Sequence, residues 1–379
     1  MRVVITGGHF SPAYSVIKKL DVSDEVLVIG RKYAFEGDTN ETYEYQICKK
    51  ERITFKEIKA GRLQRKLTAH SIPSALKFPK GIYDALKMLK DFDPDVVVTF
   101  GGYVGLPVAL AASILKIPVV LHEQTQNAGL SSKLIAKVAS VVCVSFESSI
   151  KHFKEKNVVL TGNPIREDIL SFVKKDISSF RPIVYITGGS TGSHAVNTVV
   201  YEILPELLKD YIVVHQTGNS KETGDFERFE KFHDLLSNES RKNYILSEFF
   251  TPHEVATYMS KAVLVVSRSG INTILELMAL GVPSLLVPLP FGQLNEQLEN
   301  AKLFQNTGLG EYILQKDLTP ELLLSKMRAM IKEQKKYKSN AVKAQKYVYF
   351  NAAQQIIEQM YRYGKRREEN TTNTTRKEN

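Results

Sequence analysis

The sequence predicts an α/β protein built from two doubly wound parallel sheets. Three observations lead there. The chain has 379 residues, more than one ordinary hydrophobic core accommodates. Short apolar runs of strand length alternate with helical patterns, which implies parallel strands covered by helices on both faces. The series also restarts after Gly162-Asn163-Pro164, a turn-rich triplet that marks a seam.

The first series of strand-like runs covers residues 2–5, 25–29, 96–99, 119–122, 141–145 and 158–160. The second covers 183–186, 212–215, 244–246, 263–267 and 284–287. Residues 318–334 read as a helix, and 340–362 as a longer amphipathic one. The predicted organisation is a first domain over 1–163, a second over 164–340, a helix over 341–363 crossing back to the first domain, and a polar, disordered tail over 364–379. The stretch 102–121 has nearly the length of a membrane span. Pro107, Lys116 and Pro118 interrupt it, so a helix followed by a buried strand is expected instead.

Hydrophobic content of 43% and charged content of 24% suit a globular protein. Two cysteines, Cys48 and Cys143, cannot form a disulfide framework, and a reducing cytoplasm fits them. The start of the chain reads as a strand rather than a signal peptide. The net charge is +10, with most of the excess in the first half. Such a charge suits either nucleic acid or an anionic membrane surface. Within 71–90, Ile72, Leu76, Phe78, Ile82, Tyr83, Leu86 and Leu89 alternate with Lys77, Lys80, Lys87 and Lys90. This pattern is either an apolar patch ringed by lysines, fit for anionic lipid, or a core-facing helix with a solvated lysine face.

Ligands of doubly wound sheets bind beyond the carboxyl ends of strands, so the loops after strands carry the chemistry. Four stand out. TGGHFSP (6–12) lets backbone N–H groups approach a ligand and places His9 beside it. His122-Glu123-Gln124 ends a buried strand with three hydrogen-bonding side chains. Gly188-Gly189-Ser190-Thr191-Gly192-Ser193 joins a strand to a helix carrying Asn197, an arrangement suited to phosphate, without the lysine of a triphosphate-binding loop. Arg268-Ser269-Gly270 precedes a helix with Thr273 and Glu276, and an amide-rich segment with Glu296 and Gln297 follows. Glu276 is either a surface helical acid or a carboxylate for ribose hydroxyls.

These loops, taken together, resemble those of the MurG family of bacterial transferases. TGGHFSPA, FGGYVGLP, IPVVLHEQ, TGNPIR, GGSTGS with Asn197, HQTG, Arg268–Glu276 and ALGVPSLLVP with Gln297 occur in register over most of 1–345. The resemblance implies a GT-B fold, two Rossmann-like domains facing across a cleft. It implies transfer of N-acetylglucosamine (GlcNAc) from UDP-GlcNAc to lipid I, giving lipid II for peptidoglycan. It places UDP-GlcNAc on Arg166, Gly189, Ser190, Thr191, Asn197, Phe250, Arg268, Thr273, Glu276, Glu296 and Gln297. Thr6, Gly8, Tyr103, His122, Thr125 and Ser132 fall on the acceptor side, with His9 or Glu123 as the catalytic base. Thr125, Ser132, Asn272 and Glu296 depart from the family's usual residues.

The implied partners are UDP-GlcNAc, a polyprenyl-linked acceptor and an anionic membrane surface, with no nucleic acid. The implied place is the cytoplasmic face of the membrane. No metal or cofactor is expected to be essential. Asp93-Pro94-Asp95 spells a metal clamp but precedes its strand, at the wrong sheet edge. The rival readings are a related transferase with another acceptor, a UDP-GlcNAc epimerase of the same fold, and a non-catalytic scaffold.

Overall fold

A computed structural model of the chain describes residues 1–33, 41–58, 71–154, 156–173, 181–189, 192–218, 220, 222–292 and 295–375; side chains are described outside 71–77 and 365–375. The chain divides into two compact units, Met1–Arg166 with Tyr349–Asn379, and Glu167–Val348.

The first unit holds a seven-stranded parallel sheet. Its strands are β1 (Arg2–Thr6), β2 (Glu25–Gly30), β3 (Thr54–Glu57), β4 (Val96–Thr99), β5 (Val119–Glu123), β6 (Val141–Val144) and β7 (Val158–Leu160). They lie in the order β3-β2-β1-β4-β5-β6-β7. Val3, Val4, Ile5, Val96, Val97 and Val98 are fully buried, as strands covered on both faces require. The first unit's helices are α1 (Phe10–Ile17), α2 (Tyr43–Glu51), α3 (Ser71–Phe92), α4 (Gly102–Ile114) and α5 (Leu130–Ala136). A 3-10 turn spans Glu147–His152.

In the second unit, the short α6 (Glu167–Leu170) leads into β8 (Ile183–Thr187), α7 (His194–Asp210), β9 (Ile212–Gln216), α8 (Asp225–Leu235), α9 (Asn238–Lys242) and β10 (Tyr244–Ser247). Then come α10 (Pro252–Lys261), β11 (Ala262–Ser267), α11 (Ile271–Leu280), β12 (Ser284–Leu286), α12 (Glu296–Thr307) and β13 (Gly310–Tyr312). The six parallel strands run β10-β9-β8-β11-β12-β13. Three helices, α13 (Pro320–Lys332), α14 (Gln334–Lys338) and α15 (Ala341–Gln345), close this unit. In both sheets the strand order reverses beside the first strand, at β1/β4 and at β8/β11. Those are the switch points where a ligand crevice opens.

Several sequence expectations need correction. The helix expected over 340–362 is two: α15 packs on α11 in the second unit, and α16 (Ala352–Thr375) packs on α1, β4 and β5 in the first. The chain passes between units where the two helices part, with the side chain of Tyr349 seated against Gly162. Residues from 364 to 375, expected to be disordered, continue α16. Extending a formed helix costs far less than nucleating one, and Lys, Arg and Glu propagate it well. Of the two readings left open for 71–90, the core-facing one fits most of its apolar residues: Leu89 of α3 is buried, and Phe78, Ile82 and Leu86 pack against the same cluster. Tyr83 alone among those named and described points outward, 69% exposed; the side chains of Ile72, Leu76 and Lys77 lie outside the described residues.

The 102–121 stretch is α4 followed by β5, and no described helix is long and apolar enough to cross a membrane. Asp95 sits at the amino end of β4, where its carboxylate accepts the Arg2 N–H at 2.7 Å. Both cysteines are free and buried, and burial pushes each thiol pKa up to about 12.

Candidate active site

The first unit's switch point gathers the ends of β1, β2 and β4. Thr6 and Thr99 share a buried hydroxyl–hydroxyl bond of 2.9 Å. Thr6, expected on the acceptor side, is therefore wholly buried and ties β1 to β4. The next two amides are also taken by the fold. Gly7 N–H donates to Ile29 O at 2.8 Å, and Gly8 N–H to Glu44 Oε2 at 2.6 Å. The fold itself demands glycine at both positions. A Cβ on Gly7 would come within 2.5 Å of Glu44 Oε1, and Gly8 has φ +98°, a conformation that favours glycine.

His9 follows, on an exposed loop, with Nδ1 3.1 Å from Phe100 O. A carbonyl only accepts, so Nδ1 carries the hydrogen and Nε2 presents a lone pair. Although the residue is exposed, desolvation of the ring by its neighbours lowers its pKa below the ordinary 6.5, against the raising pull of the Glu123 carboxylate and of the Phe100 carbonyl. The neutral imidazole is thereby favoured. Tyr103, on the first turn of α4, accepts from Arg31 Nη1 at 2.7 Å, and the guanidinium carbon lies 5.6 Å from the tyrosine ring centroid.

At the end of β5, His122 is buried rather than surface-facing. Its Nε2 lies 2.9 Å from Gly162 O, which fixes the hydrogen there, and burial drives its pKa down to about 4. It joins β5 to the residues just after β7. Glu123 is 4% exposed, and its Oε1 accepts from both N–H and hydroxyl of Thr125, at 2.9 and 2.7 Å. Thr125, a departure from the family pattern, is thus the residue that orients this carboxylate. Ser132 is buried beside Gly101.

The second unit has its own glycine loop after β8. Gly189 N–H donates to Thr187 Oγ1 at 3.0 Å, and Gly189 O accepts from Gln216 Nε2 at 3.0 Å. Ser190 and Thr191 lie outside the described residues. Asn197, expected to touch the donor, is 1% exposed with its amide fully engaged. Its Nδ2 donates to Thr217 O and Asp225 Oδ2, and its Oδ1 accepts from His215 Nε2. These bonds tie the start of α7 to β9 and the segment after it. His215 is completed by Tyr244 hydroxyl at 3.1 Å, and burial lowers its pKa to about 3.

Gln216 reaches further: its Oε1 accepts the Phe250 N–H at 3.2 Å. One side chain therefore connects the glycine loop with the backbone expected to meet uracil. Arg268 clamps the chain after β12, donating to Val287 O at 3.0 Å and to Gln315 Oε1 at 2.7 Å. Thr273 is half-buried on the first turn of α11. Glu276 is buried one turn on, which removes the surface-acid alternative. Glu296 and Gln297 open α12, where Gln297 Oε1 accepts from Leu289 N–H at 3.0 Å. Arg166 closes the first unit, immediately ahead of α6.

Three residues at these switch points escaped the sequence reading: Arg31, Glu44 and Gln216. Gln216 sits inside the quoted HQTG motif and could have been found there. Glu44 carries no sequence signal, because it lies among polar residues at the start of a helix.

The family model for the glycosyltransferase family 28 N-terminal domain matches residues 3–144, and that for the C-terminal domain of the same family matches 183–360. A protein of Acetivibrio thermocellus named UDP-N-acetylglucosamine--N-acetylmuramyl-(pentapeptide) pyrophosphoryl-undecaprenol N-acetylglucosamine transferase is 33% identical over 94% of this chain and 97% of its own length. A Clostridium perfringens protein of the same name is 34% identical over 89% of this chain and 92% of its own. Among solved structures, Acinetobacter baumannii MurG superposes with a TM-score of 0.68 at 24% identity, covering 95% of this chain and 99% of that one. A Neisseria meningitidis UDP-GlcNAc 2-epimerase superposes at 0.64 with 17% identity, covering 96% and 100%. Both structural likenesses show the shared GT-B-type fold of two parallel-sheet units, while the two matched domain models and the near full-length identity show descent: the chain belongs to glycosyltransferase family 28.

Proposed function

We propose that the protein transfers N-acetylglucosamine from UDP-GlcNAc to the 4-hydroxyl of the N-acetylmuramyl sugar in undecaprenyl-pyrophosphoryl-MurNAc-pentapeptide, converting lipid I to lipid II. The observation that carries this reading is the 33% identity, over 94% of the chain, to a transferase named for that reaction. The reaction is one inverting displacement. The acceptor oxygen bonds to the anomeric carbon as the bond to UDP breaks, and the hydroxyl proton passes to a base.

His9 is the base in this reading. Its Nδ1–H is held by Phe100 O, leaving Nε2 to take the proton, and it is neutral at working pH. The Glu123 carboxylate acts on the imidazolium that results, since its charge already favours the protonated ring. The second unit takes the donor: Gly189, Ser190, Thr191 and the α7 N-terminus at the diphosphate, the Phe250 backbone at uracil, Glu276 at the ribose hydroxyls, and Thr273, Glu296 and Gln297 nearby. Arg166, the last residue of the first unit, is assigned to the diphosphate by the resemblance. Amides and a guanidinium meet the leaving group's charge here, so transfer is expected to persist in a chelator.

Attachment to the membrane is peripheral in this reading, through Tyr83 and the exposed Lys80, Lys87 and Lys90 of α3. Flotation with vesicles tests it: binding only to anionic vesicles at low salt is expected, and none at low salt would sink it. The reaction itself is tested by transfer of radiolabelled GlcNAc to lipid I in detergent. Donor turnover without a labelled lipid product would exclude it.

A further inference from the structure

Glu44 is a carboxylate where the fold should be least hospitable to one. It is 6% exposed, among the ends of β1 and β2. The start of α2 brings it there. Thr42 caps that helix and donates its hydroxyl to Arg31 O at 2.5 Å, while Thr42 N–H donates to Lys32 O at 2.8 Å. The helix is thus pinned to the loop after β2, with Glu44 on its first turn turned inward. Oε2 accepts from Gly8 N–H at 2.6 Å and Oε1 from Arg31 N–H at 2.8 Å. Gly7 and Gly30 flank the carboxylate so closely that a Cβ on either would come within 2.6 Å of Oε1. Burial raises its pKa, and the two amides with the Arg31 charge oppose that rise.

One side chain therefore joins two loops that carry chemistry. Gly8 immediately precedes His9, and Arg31 extends from its backbone to Tyr103. Glu44 does not touch the proposed reacting atoms; its bonds are to the backbone of its own unit. Two short charge-assisted bonds fix the backbone on which both functional side chains hang.

We propose that Glu44 is a positioning residue, whose bonds to Gly8 N–H and Arg31 N–H set the placement of His9 and of the Arg31–Tyr103 pair, and so govern use of the acceptor and leave donor binding untouched. The inference rests on the transfer reading above. Two substitutions disturb the same contact from opposite sides. Glu44→Gln keeps the shape but turns an amide NH2 toward an N–H. Gly7→Ala leaves the carboxylate and displaces it. Each should lower kcat/KM for the lipid acceptor about tenfold or more, within the ~10²-fold that an ångström of misplacement costs. KM for UDP-GlcNAc should stay near wild type, and the variants should melt cooperatively but several degrees lower, since each disturbs a buried polar contact. Since both act through one contact, the double variant should be no worse than the poorer single.

Acceptor kcat/KM within twofold of wild type, losses that multiply in the double variant, or an equal rise in donor KM would each overturn the inference. If Glu44→Gln does not fold, Gly7→Ala alone carries the same KM split. A second readout is independent of the substrate. In histidine-labelled protein, disturbing the contact should shift the His9 ring resonances and leave those of His215 in place; an unmoved His9 overturns the inference even if the enzyme uses another acceptor. Absence of transfer by the wild type overturns the proposed reaction instead.

Discussion

The two glycine loops, TGGH after β1 and GGSTGS after β8, occupy the same place in their sheets, yet a buried carboxylate stands differently to each. Beneath the first lies Glu44, which takes the Gly8 amide itself. Behind the second, Thr187 hydroxyl takes the Gly189 amide and the Gln216 amide takes its carbonyl. The buried Asp225 lies further back there, bonded to Asn197 Nδ2 and His194 Nδ1. Among the described residues, no carboxylate accepts from an amide of the second loop. A loop amide given to a carboxylate is a donor withheld from a ligand. The first loop therefore serves to hold His9 in place, and the second is the one fitted to the donor. The strand–glycine–helix spelling is shared, and the difference comes from what a neighbouring element inserts beneath it.

The largest effect that would test this division is His9→Ala. On the first unit's side it should lower kcat by about 10²–10⁴-fold, the usual contribution of a general base, with UDP-GlcNAc affinity unchanged. In the wild type, kcat/KM should fall on the acid side with an apparent pKa below 6.5, because packing lowers that of His9. Loss of donor affinity in His9→Ala, read by calorimetry, would break the division. On the second unit's side, Glu276→Ala should weaken donor binding by ~10–100-fold, the loss of charged hydrogen bonds, while leaving acceptor KM in place. Gln216→Ala is a milder version: freeing Gly189 O and Phe250 N–H should raise donor KM by about tenfold, as one neutral hydrogen-bonding side chain predicts. An acceptor KM that rises with it would mean the loops are not independent.

The buried strands were legible because continuous valine and isoleucine runs leave little else for them to be. The two missed strands, β3 and β13, are sheet edges. β3 is half-exposed with the mixed sequence TFKE, and β13 has three residues, so neither shows the apolar run of a central strand. At the site, motif positions were legible, but the part each plays in the fold was not. Thr6 and His122 sit at strand ends and Asn197 on the first turn of the helix after one, as expected, yet all are buried and bonded inward. A polar residue at a strand end spells the same whether it faces a ligand or ties two loops together. Glu44 was invisible for the converse reason: its partners, Gly8 and Arg31, are 36 and 13 residues away and contribute only backbone.

The smallest expected effect separates the units by stability. His122 in the first unit and His215 in the second are both buried and neutral, with pKa values down to about 4 and about 3. In the unfolded chain each titrates near 6.5. Between that value and the folded one, the unfolded state binds a proton that the folded state refuses. Stability therefore is fully present above 6.5 and falls as the pH drops, by up to about 1.4 kcal/mol per pH unit for each histidine. His122→Gln should flatten the acid loss of the first unit alone, and His215→Gln that of the second, as read by amide exchange unit by unit between pH 7 and pH 5. A substitution that flattened both slopes equally would mean the two units unfold together, and the independence inferred for their loops would then hold for binding but not for folding.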